Sequence, residues 1–178
     1  MKSTVLLQEL TDITNDNIKE TEKLQLLSEE QLNFKPHDKS WSILECIEHL
    51  NRYGRFYIPE IRERMNASTH KTSTEFKTGV LGDYFAKSML PKEKLNKMKT
   101  FKNMNPNNSD LDIDVLNEFL NQQKEILVLL KEAEQANLTK IKTGITISNL
   151  IKLRLGDTFR VVIYHNLRHI VQAKKVLA

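Results

Sequence analysis

The sequence predicts an all-α protein, a four-helix bundle with a long crossover connection between helices two and three. Four segments carry apolar residues at helical spacing, and a long stretch between the second and third segments lacks that period. The composition agrees, because 39% hydrophobic and 28% charged residues with only five Gly and four Pro are typical of a helix-rich globular protein. A chain of 178 residues fits one domain, residues 1–178, with enough apolar surface to form its own core.

Residues 5–27 predict the first helix, although polar residues at 15–17 weaken the pattern in its middle. The apolar residues at helical spacing are Leu6, Leu10, Ile13, Leu24 and Leu27. Residues 28–40 then break the period, with Phe34-Lys35-Pro36 followed by a polar run. This break predicts a connection.

The second helix is predicted to begin after Ser42. Ser42 followed three residues later by Glu45 matches the capping box, in which each side chain satisfies a free backbone amide. The apolar side of the helix comprises Ile43, Ile47, Leu50 and Tyr57. Pro59 predicts a kink or the end of this helix, because proline lacks the amide hydrogen that an interior position donates.

Residues 69–108 predict the long crossover connection. The helical period is lost there, apart from an apolar patch at residues 80–90 that predicts one or two short helices. Connections of this length usually cross one end of a bundle or cover a site.

Residues 112–133 predict the third helix, with Leu116, Phe119 and Leu120 on one side and acidic residues in the first turn. A linker containing Gly144 follows, and residues 147–155 predict a short helix. Gly156-Asp157 then opens the fourth helix. The residues at helical spacing form a mostly apolar stripe along one face of this helix, and they are Phe159, Val162, Ile163, Asn166, Ile170, Ala173 and Leu177.

Charge and cysteine content narrow the class of protein. The net charge of +4 is mild and mixed along the chain, so charge alone does not indicate nucleic-acid binding. Residues 92–102 contain five lysines, and we interpret them as a solvated face.

Cys46 is the only cysteine, which suits a reducing cytosol. Residues 1–10 lack the apolar region of a secretory signal, and no run is long enough to span a membrane, so we expect a cytoplasmic protein.

Three histidines form a candidate metal site. His165 and His169 are four apart on the fourth helix, so both rings can converge on one ion from the flank of the apolar stripe. His49 lies on the shoulder of the stripe of the second helix, beside Cys46 and Tyr53. A histidine pair at this spacing is common by chance, and the third histidine is what raises the metal hypothesis above chance. Three imidazoles suit zinc, nickel or another late divalent ion, with positions left open for water or substrate.

Other polar residues near these histidines have simpler interpretations. Cys46 is expected to be a small core residue and not a metal ligand. Glu45 and Glu48 are interpreted as capping or surface residues, with a general base as the alternative for either. Trp41 is interpreted as a packing anchor at the helix entrance, with a substrate platform as the alternative.

Four further polar residues were considered for a role at or near the metal site. His37 and His70 fall in predicted connections, where we expect them to be solvated. Asn166 and Gln172 lie on the fourth helix and are candidates for orienting a histidine or capping a neighbouring chain.

Several segments resemble the DinB-like superfamily. They are LSEEQLN at residues 27–33, WSI at 41–43 with EHL at 48–50, and YHNLRHIVQA at 164–173. In that family a tryptophan-serine stretch opens helix two, a histidine follows near its middle, and two histidines four apart lie on the last helix. The resemblance implies a four-helix bundle, often dimeric, with a three-histidine metal site in a cleft. Members of known chemistry transfer or isomerise with low-molecular-weight thiols such as bacillithiol or mycothiol.

The resulting hypothesis is a metal-binding protein, a metal-dependent thiol transferase or hydrolase acting on a small molecule. We expect neither nucleic acid nor membrane as a partner, and a homodimer is implied by the resemblance. The alternatives are a protein that binds metal or a small ligand without turnover, and a metal-free helical interaction module. The substrate, the general base and the identity of the metal stay open at this stage.

Overall fold

The computed structural model describes residues 1–38, 40–91 and 100–177, which are mostly helical with one small two-stranded sheet. The helices are α1 Ser3–Leu24, α2 Glu29–Asn33, α3 Ile43–Asn66, α4 Val80–Met89, α5 Asp114–Glu132 and α6 Leu155–Lys174. The strands are β1 Lys142–Ile145 and β2 Ser148–Arg154. Short 3-10 turns lie at Lys102–Met104, Ala133–Gln135 and Lys175–Leu177.

The four long helices enclose the core. Helix α3 packs against both α5 and α6, and α1 packs against the same two helices. One apolar cluster joins Tyr57 of α3 to Phe159 near the start of α6, and a second joins Ile47 of α3 to Ile170 near its end. The beginning of α3 therefore lies beside the end of α6, so the middles of the two helices face each other.

The predicted start of the second long helix is confirmed. The Ser42 hydroxyl accepts from the Glu45 amide at 3.2 Å, and the Glu45 carboxylate accepts from the Ser42 amide at 3.0 Å. Of the two alternatives predicted for Pro59, the end of the helix is wrong, because α3 continues to Asn66, and the kink stays a prediction. Burial of Ile58 and Ile61 on either side of Pro59 offsets the lost backbone hydrogen bond.

The connection predicted at residues 28–40 contains a short helix, α2. Ser28 and Gln31 form a capping box at its start, and Leu32 is fully buried against α3. A helix of five residues spans little more than one turn, which is too short for a helical period to appear in the sequence.

The prediction of a short helix at residues 147–155 is wrong, because the second strand of a β-hairpin occupies most of that range. Lys142 pairs with Arg154 and Thr143 with Leu153, and the register shifts between Gly144 and Ile145. Thr143 and Leu153, which form one of these pairs, are both buried. Both strands of the hairpin contact α6. The all-α class is therefore corrected to a mostly helical fold with a small antiparallel sheet.

The described part of the crossover connection contains α4, as the apolar patch at 80–90 predicts. Helix α4 packs against α6 and β2. The buried Asp157 carboxylate accepts from the Gly79 amide at 2.8 Å and pairs with Arg160 at 3.2 Å, and Arg160 pairs with Asp83 of α4 at 3.0 Å. These bonds attach the start of α4 to the start of α6. Most of the lysine-rich segment, residues 92–99, lies outside the described residues.

Within the described ranges, no helix combines the length and the apolar character that crossing a bilayer requires.

Candidate metal centre

The three predicted histidines come together where the first third of α3 faces the second half of α6. The ring centroids of His49 and His165 are 5.1 Å apart, and His169 lies 4.6 Å from each of the other two rings. One nitrogen from each ring lies within 4.8 Å of the other two nitrogens. All three side chains are buried, at 3%, 8% and 8% exposure. This geometry can hold one metal ion.

A backbone carbonyl fixes the tautomer of His49. Its Nδ1 lies 2.7 Å from the carbonyl oxygen of Met104. A carbonyl oxygen only accepts, so Nδ1 carries the proton and donates it. The Nε2 atom of His49 then presents a lone pair, and it lies 3.3 Å from Nε2 of His165. Metal-binding histidines in proteins commonly donate their other ring N–H to a carbonyl in this way.

The loop that carries Met104 is held against α3 by Arg52 and Glu45. The Arg52 guanidinium donates to the carbonyl oxygen of Asn105 at 2.8 Å, and the Asn108 amide donates to Glu45 at 2.9 Å. Glu48 accepts from Arg52 Nε at 2.9 Å, so it orients the guanidinium. Glu45 and Glu48 therefore position the loop.

Burial sets the charge state of the metal-free cluster. Burial lowers the pKa of His49 to about 4, although the hydrogen bond to Met104 opposes this shift. Burial also lowers the pKa of His165 and of His169 well below their ordinary range, and the neighbouring histidines and Arg168 act in the same direction. All three imidazoles are neutral near pH 7, which is the form that coordinates a metal.

The donor set of the cluster fits a metal ion. Nδ1 of His169 is buried and has no hydrogen-bond partner within the described ranges. An unsatisfied buried nitrogen costs free energy, and a small reorientation toward a shared cation would remove that cost. Among the described residues no cysteine or carboxylate joins the group of three. A three-histidine set leaves coordination positions open, as in catalytic zinc sites.

The histidines form part of the wall of a cavity of about 930 Å³. The Trp41 ring lies 4.8 Å from that of His49 and 5.9 Å from that of His169. The Tyr53 ring lies 4.7 Å from that of His165. Trp41 packs at the helix entrance as expected, and it also lines the cavity. The packing role is therefore supported, and the substrate platform stays a prediction.

Tyr53 lies one helical turn after His49 and faces the same cavity. Burial raises the pKa of Tyr53 to about 12, so its hydroxyl stays protonated near pH 7 and can donate a hydrogen bond. Sequence reasoning missed the Met104 carbonyl, which orients His49. It is a backbone group placed by tertiary packing, and no residue type marks it.

The remaining candidates lie away from the cluster or act indirectly. Cys46 is fully buried in the core, and burial raises the pKa of its thiol. His37 and His70 are exposed, as expected. Asn166 donates to Gln123 of α5 at 3.1 Å. Gln172 lies close enough to His169 to oppose the lowering of its pKa, so Gln172 stays a candidate for orienting that histidine.

Comparison with known proteins gives one family match. The family model of the DinB superfamily matches residues 14–173, a range that includes all three histidines. Searches of curated proteins and of solved structures return no significant match.

Proposed function

The chain belongs to the DinB superfamily, and from that premise we propose that it is a divalent-metal-dependent thiol transferase or hydrolase acting on a small molecule. The observation that carries this proposal is the convergence of three buried, neutral imidazoles on the wall of a cavity of about 930 Å³. That volume lies in the upper part of the range for small-molecule sites.

His49, His165 and His169 would hold one ion, zinc or nickel, because neutral imidazole nitrogens suit these late divalent metals. When bound, such an ion lowers the pKa of a thiol or water in contact with it and so supplies a nucleophile near neutral pH. The hydrogen bond from His49 to Met104 keeps Nε2 of His49 available as a ligand atom.

The aromatic side chains of Trp41 and Tyr53, which line the cavity, have separate roles in this proposal. Trp41 covers His49 and His169, which limits the access of bulk water to that side of the cluster. Tyr53 holds a proton on its hydroxyl beside His165 and His49, where it can donate to an oxygen of the substrate.

A low-molecular-weight thiol is the proposed co-substrate, as in family members of known chemistry. In a transfer the thiol sulfur forms a bond to carbon of an electrophile, the leaving group departs with the bonding electrons, and the thiol proton passes to solvent. In a hydrolysis, water takes the place of the thiol.

Binding without turnover is the second candidate, and one observation favours it. Within the described residues no aspartate or glutamate lines the cavity, so no carboxylate there is available as a general base. A protein that holds metal or a small ligand needs no such base.

The proposal also includes the assembly. Residues 1–178 form one four-helix-bundle domain with a crossover between the second and third long helices, and two copies form a dimer in the cytoplasm. The mutual packing of α1, α3, α5 and α6 supports the bundle, and the family resemblance supports the dimer.

A reconstitution assay tests the function. Tag-free protein is loaded with zinc or nickel and assayed with a panel of thiols and chlorodinitrobenzene, and separately with p-nitrophenyl acetate. We expect turnover that chelation and His169→Ala abolish and that His70→Ala leaves unchanged. One bound metal without turnover on any substrate would favour the binding protein, and the absence of metal would overturn both candidates.

A further inference from the structure

Two rows of side chains, one on α3 and one on α6, line the cavity at steps of four residues, which is the spacing of one helical face. The rows are His49, Tyr53 and Tyr57 on α3, and Val161, His165 and His169 on α6. The beginning of α3 lies beside the end of α6, so the rows run in opposite directions. The Tyr53 ring accordingly lies 4.7 Å from that of His165, and Tyr57 belongs to the same apolar cluster as Val162 near the start of α6.

The cavity wall becomes apolar one helical turn from His165. Val161 and Val162 precede His165 by four and three residues, which is roughly 5 to 6 Å along the axis of α6. Helix α4 and both strands of the hairpin pack against α6 and contribute further apolar side chains to the wall. These side chains are Phe85 and Met89 of α4 and Ile145 and Leu153 of the hairpin.

This part of the wall carries no charge. Among the described residues that line the cavity, none from α4, the hairpin or the part of α6 before His165 is charged. The charged residues of the wall, Arg168 and Lys175, follow His165 along α6. Val162 is 5% exposed and Leu153 is 3% exposed, so water has little access to this surface. A charged group would lose its hydration here without gaining a partner, whereas an apolar group would gain free energy by burial.

The cavity has room for such a group beside a metal ion. An ion with one coordinated water occupies only a small part of a cavity of about 930 Å³, and volumes of this order accommodate small organic molecules. The uncharged wall lies within one turn of His165. A group that occupies it is therefore close to any atom that reacts at the histidine cluster.

We propose that Phe85, Met89, Leu153, Val161 and Val162 form an apolar subsite for an uncharged group of the substrate. The substrate is thus an electrophile in which an uncharged apolar group lies next to the reacting carbon. This inference names the substrate class of the proposed function and rests on it for the reaction, whereas binding of the apolar group requires no metal.

A matched pair of fluorescent probes tests the apolar subsite. Phenylnaphthylamine is uncharged, and anilinonaphthalenesulfonate has the same ring system with one sulfonate. Both are titrated against the full-length protein, as purified and again after chelation. The uncharged probe is expected to bind at least about threefold more tightly in both conditions, because the sulfonate must be desolvated at an uncharged wall. The chelated arm contains no metal, so a failure of the metal proposal does not alter this result.

Three variants locate the bound probe. Met89→Gln keeps the length of the side chain but makes the wall polar, and it should weaken binding of the uncharged probe about fivefold or more. Val161→Thr keeps the shape of the side chain on another helix and should weaken binding about threefold. Met65→Gln is the matched control, because Met65 packs against the same apolar cluster as Met89 but is not among the described residues that line the cavity. It should bind the probe like the wild type.

Four outcomes would overturn the proposal. They are no binding of the uncharged probe, equal or tighter binding of the sulfonate, wild-type affinity in both Met89→Gln and Val161→Thr, and an equal loss in Met65→Gln. Val161→Thr decides the result by itself if Met89→Gln does not fold, because its side chain differs from valine by a single hydroxyl.

Discussion

His49 donates a hydrogen bond from Nδ1 to the carbonyl oxygen of Met104 over 2.7 Å, and this bond joins the candidate metal centre to the connection between α3 and α5. The same connection is attached to α3 through Arg52, whose guanidinium reaches the carbonyl oxygen of Asn105. The orientation of a proposed ligand therefore depends on residues that do not contact the metal.

The first prediction concerns Arg52→Lys. This change keeps the positive charge but removes the fork that contacts Glu48 and Asn105 together, so the Met104 carbonyl is held less firmly. Loss of such an outer contact lowers metal affinity by about tenfold in comparable sites. Competition with a chromophoric chelator measures the affinity. Arg62→Lys, in a surface pair with Glu125, is the matched control, and equal affinities for both variants would contradict the prediction.

The second prediction concerns metal content. Tag-free wild-type protein should contain one zinc or nickel ion per chain, and His49→Ala or His169→Ala should each lose most of it, because two imidazoles bind far more weakly than three. Elemental analysis after dialysis measures the content. His70→Ala removes an exposed histidine outside the cluster and should retain the ion. Equal content in all four proteins would show that these histidines are not the ligands.

The amphipathic stripes and the capping box at Ser42 were sufficient to predict the four long helices. The hairpin was not predictable in the same way. Ile147, Leu150 and Ile151 fit helical spacing, whereas Ile151, Leu153 and Leu155 fit the alternation of a strand. A seven-residue strand is too short for the pattern to separate these alternatives.

Histidine spacing on two amphipathic helices was sufficient to predict the cluster itself. His49 and His165 lie at stripe edges, and a side chain there points into the crevice between packed helices. The rest of the site could not be predicted, because it comes from the connection. The Met104 carbonyl and the aromatic side chains of α4 reach the cavity only through tertiary packing.

The third prediction concerns removal of the metal. The described core residues form two apolar clusters that do not include the histidines, so the fold should persist in chelator. An ion present at 100 times its Kd stabilises the folded state by about 2.7 kcal/mol, or roughly 5–10 °C in Tm for a chain of this size. Circular dichroism should show a lower Tm and an unchanged helical signal at room temperature. Collapse of that signal on chelation would show that the metal is required for folding.

The fourth prediction concerns Gly82→Ala. A Cβ atom at Gly82 would lie 2.5 Å from Cβ of Asp157, which is held in place by Gly79 and Arg160. The resulting overlap should lower the free energy of unfolding by about 1–3 kcal/mol. Gly79→Ala is the control, since its nearest contact would be an ordinary 3.5 Å. Urea unfolding of both variants measures the difference, and equal midpoints would contradict the clash.

The last prediction concerns pH and the metal-free protein. Because burial lowers the pKa of His49 to about 4, the unfolded chain binds a proton between pH 6.5 and 4 that the folded chain does not. The free energy of unfolding therefore falls as the pH falls below 6.5, by about 1.4 kcal/mol from pH 7.5 to 5.5 for His49, and the lowered pKa values of His165 and His169 act in the same direction. Urea unfolding in chelator at pH 7.5, 6.5 and 5.5 measures this slope. His49→Gln should reduce the slope by that amount, whereas His37→Gln, in which an exposed histidine is replaced, should leave it unchanged. Identical slopes for the wild type and His49→Gln would show that His49 is not held neutral by burial.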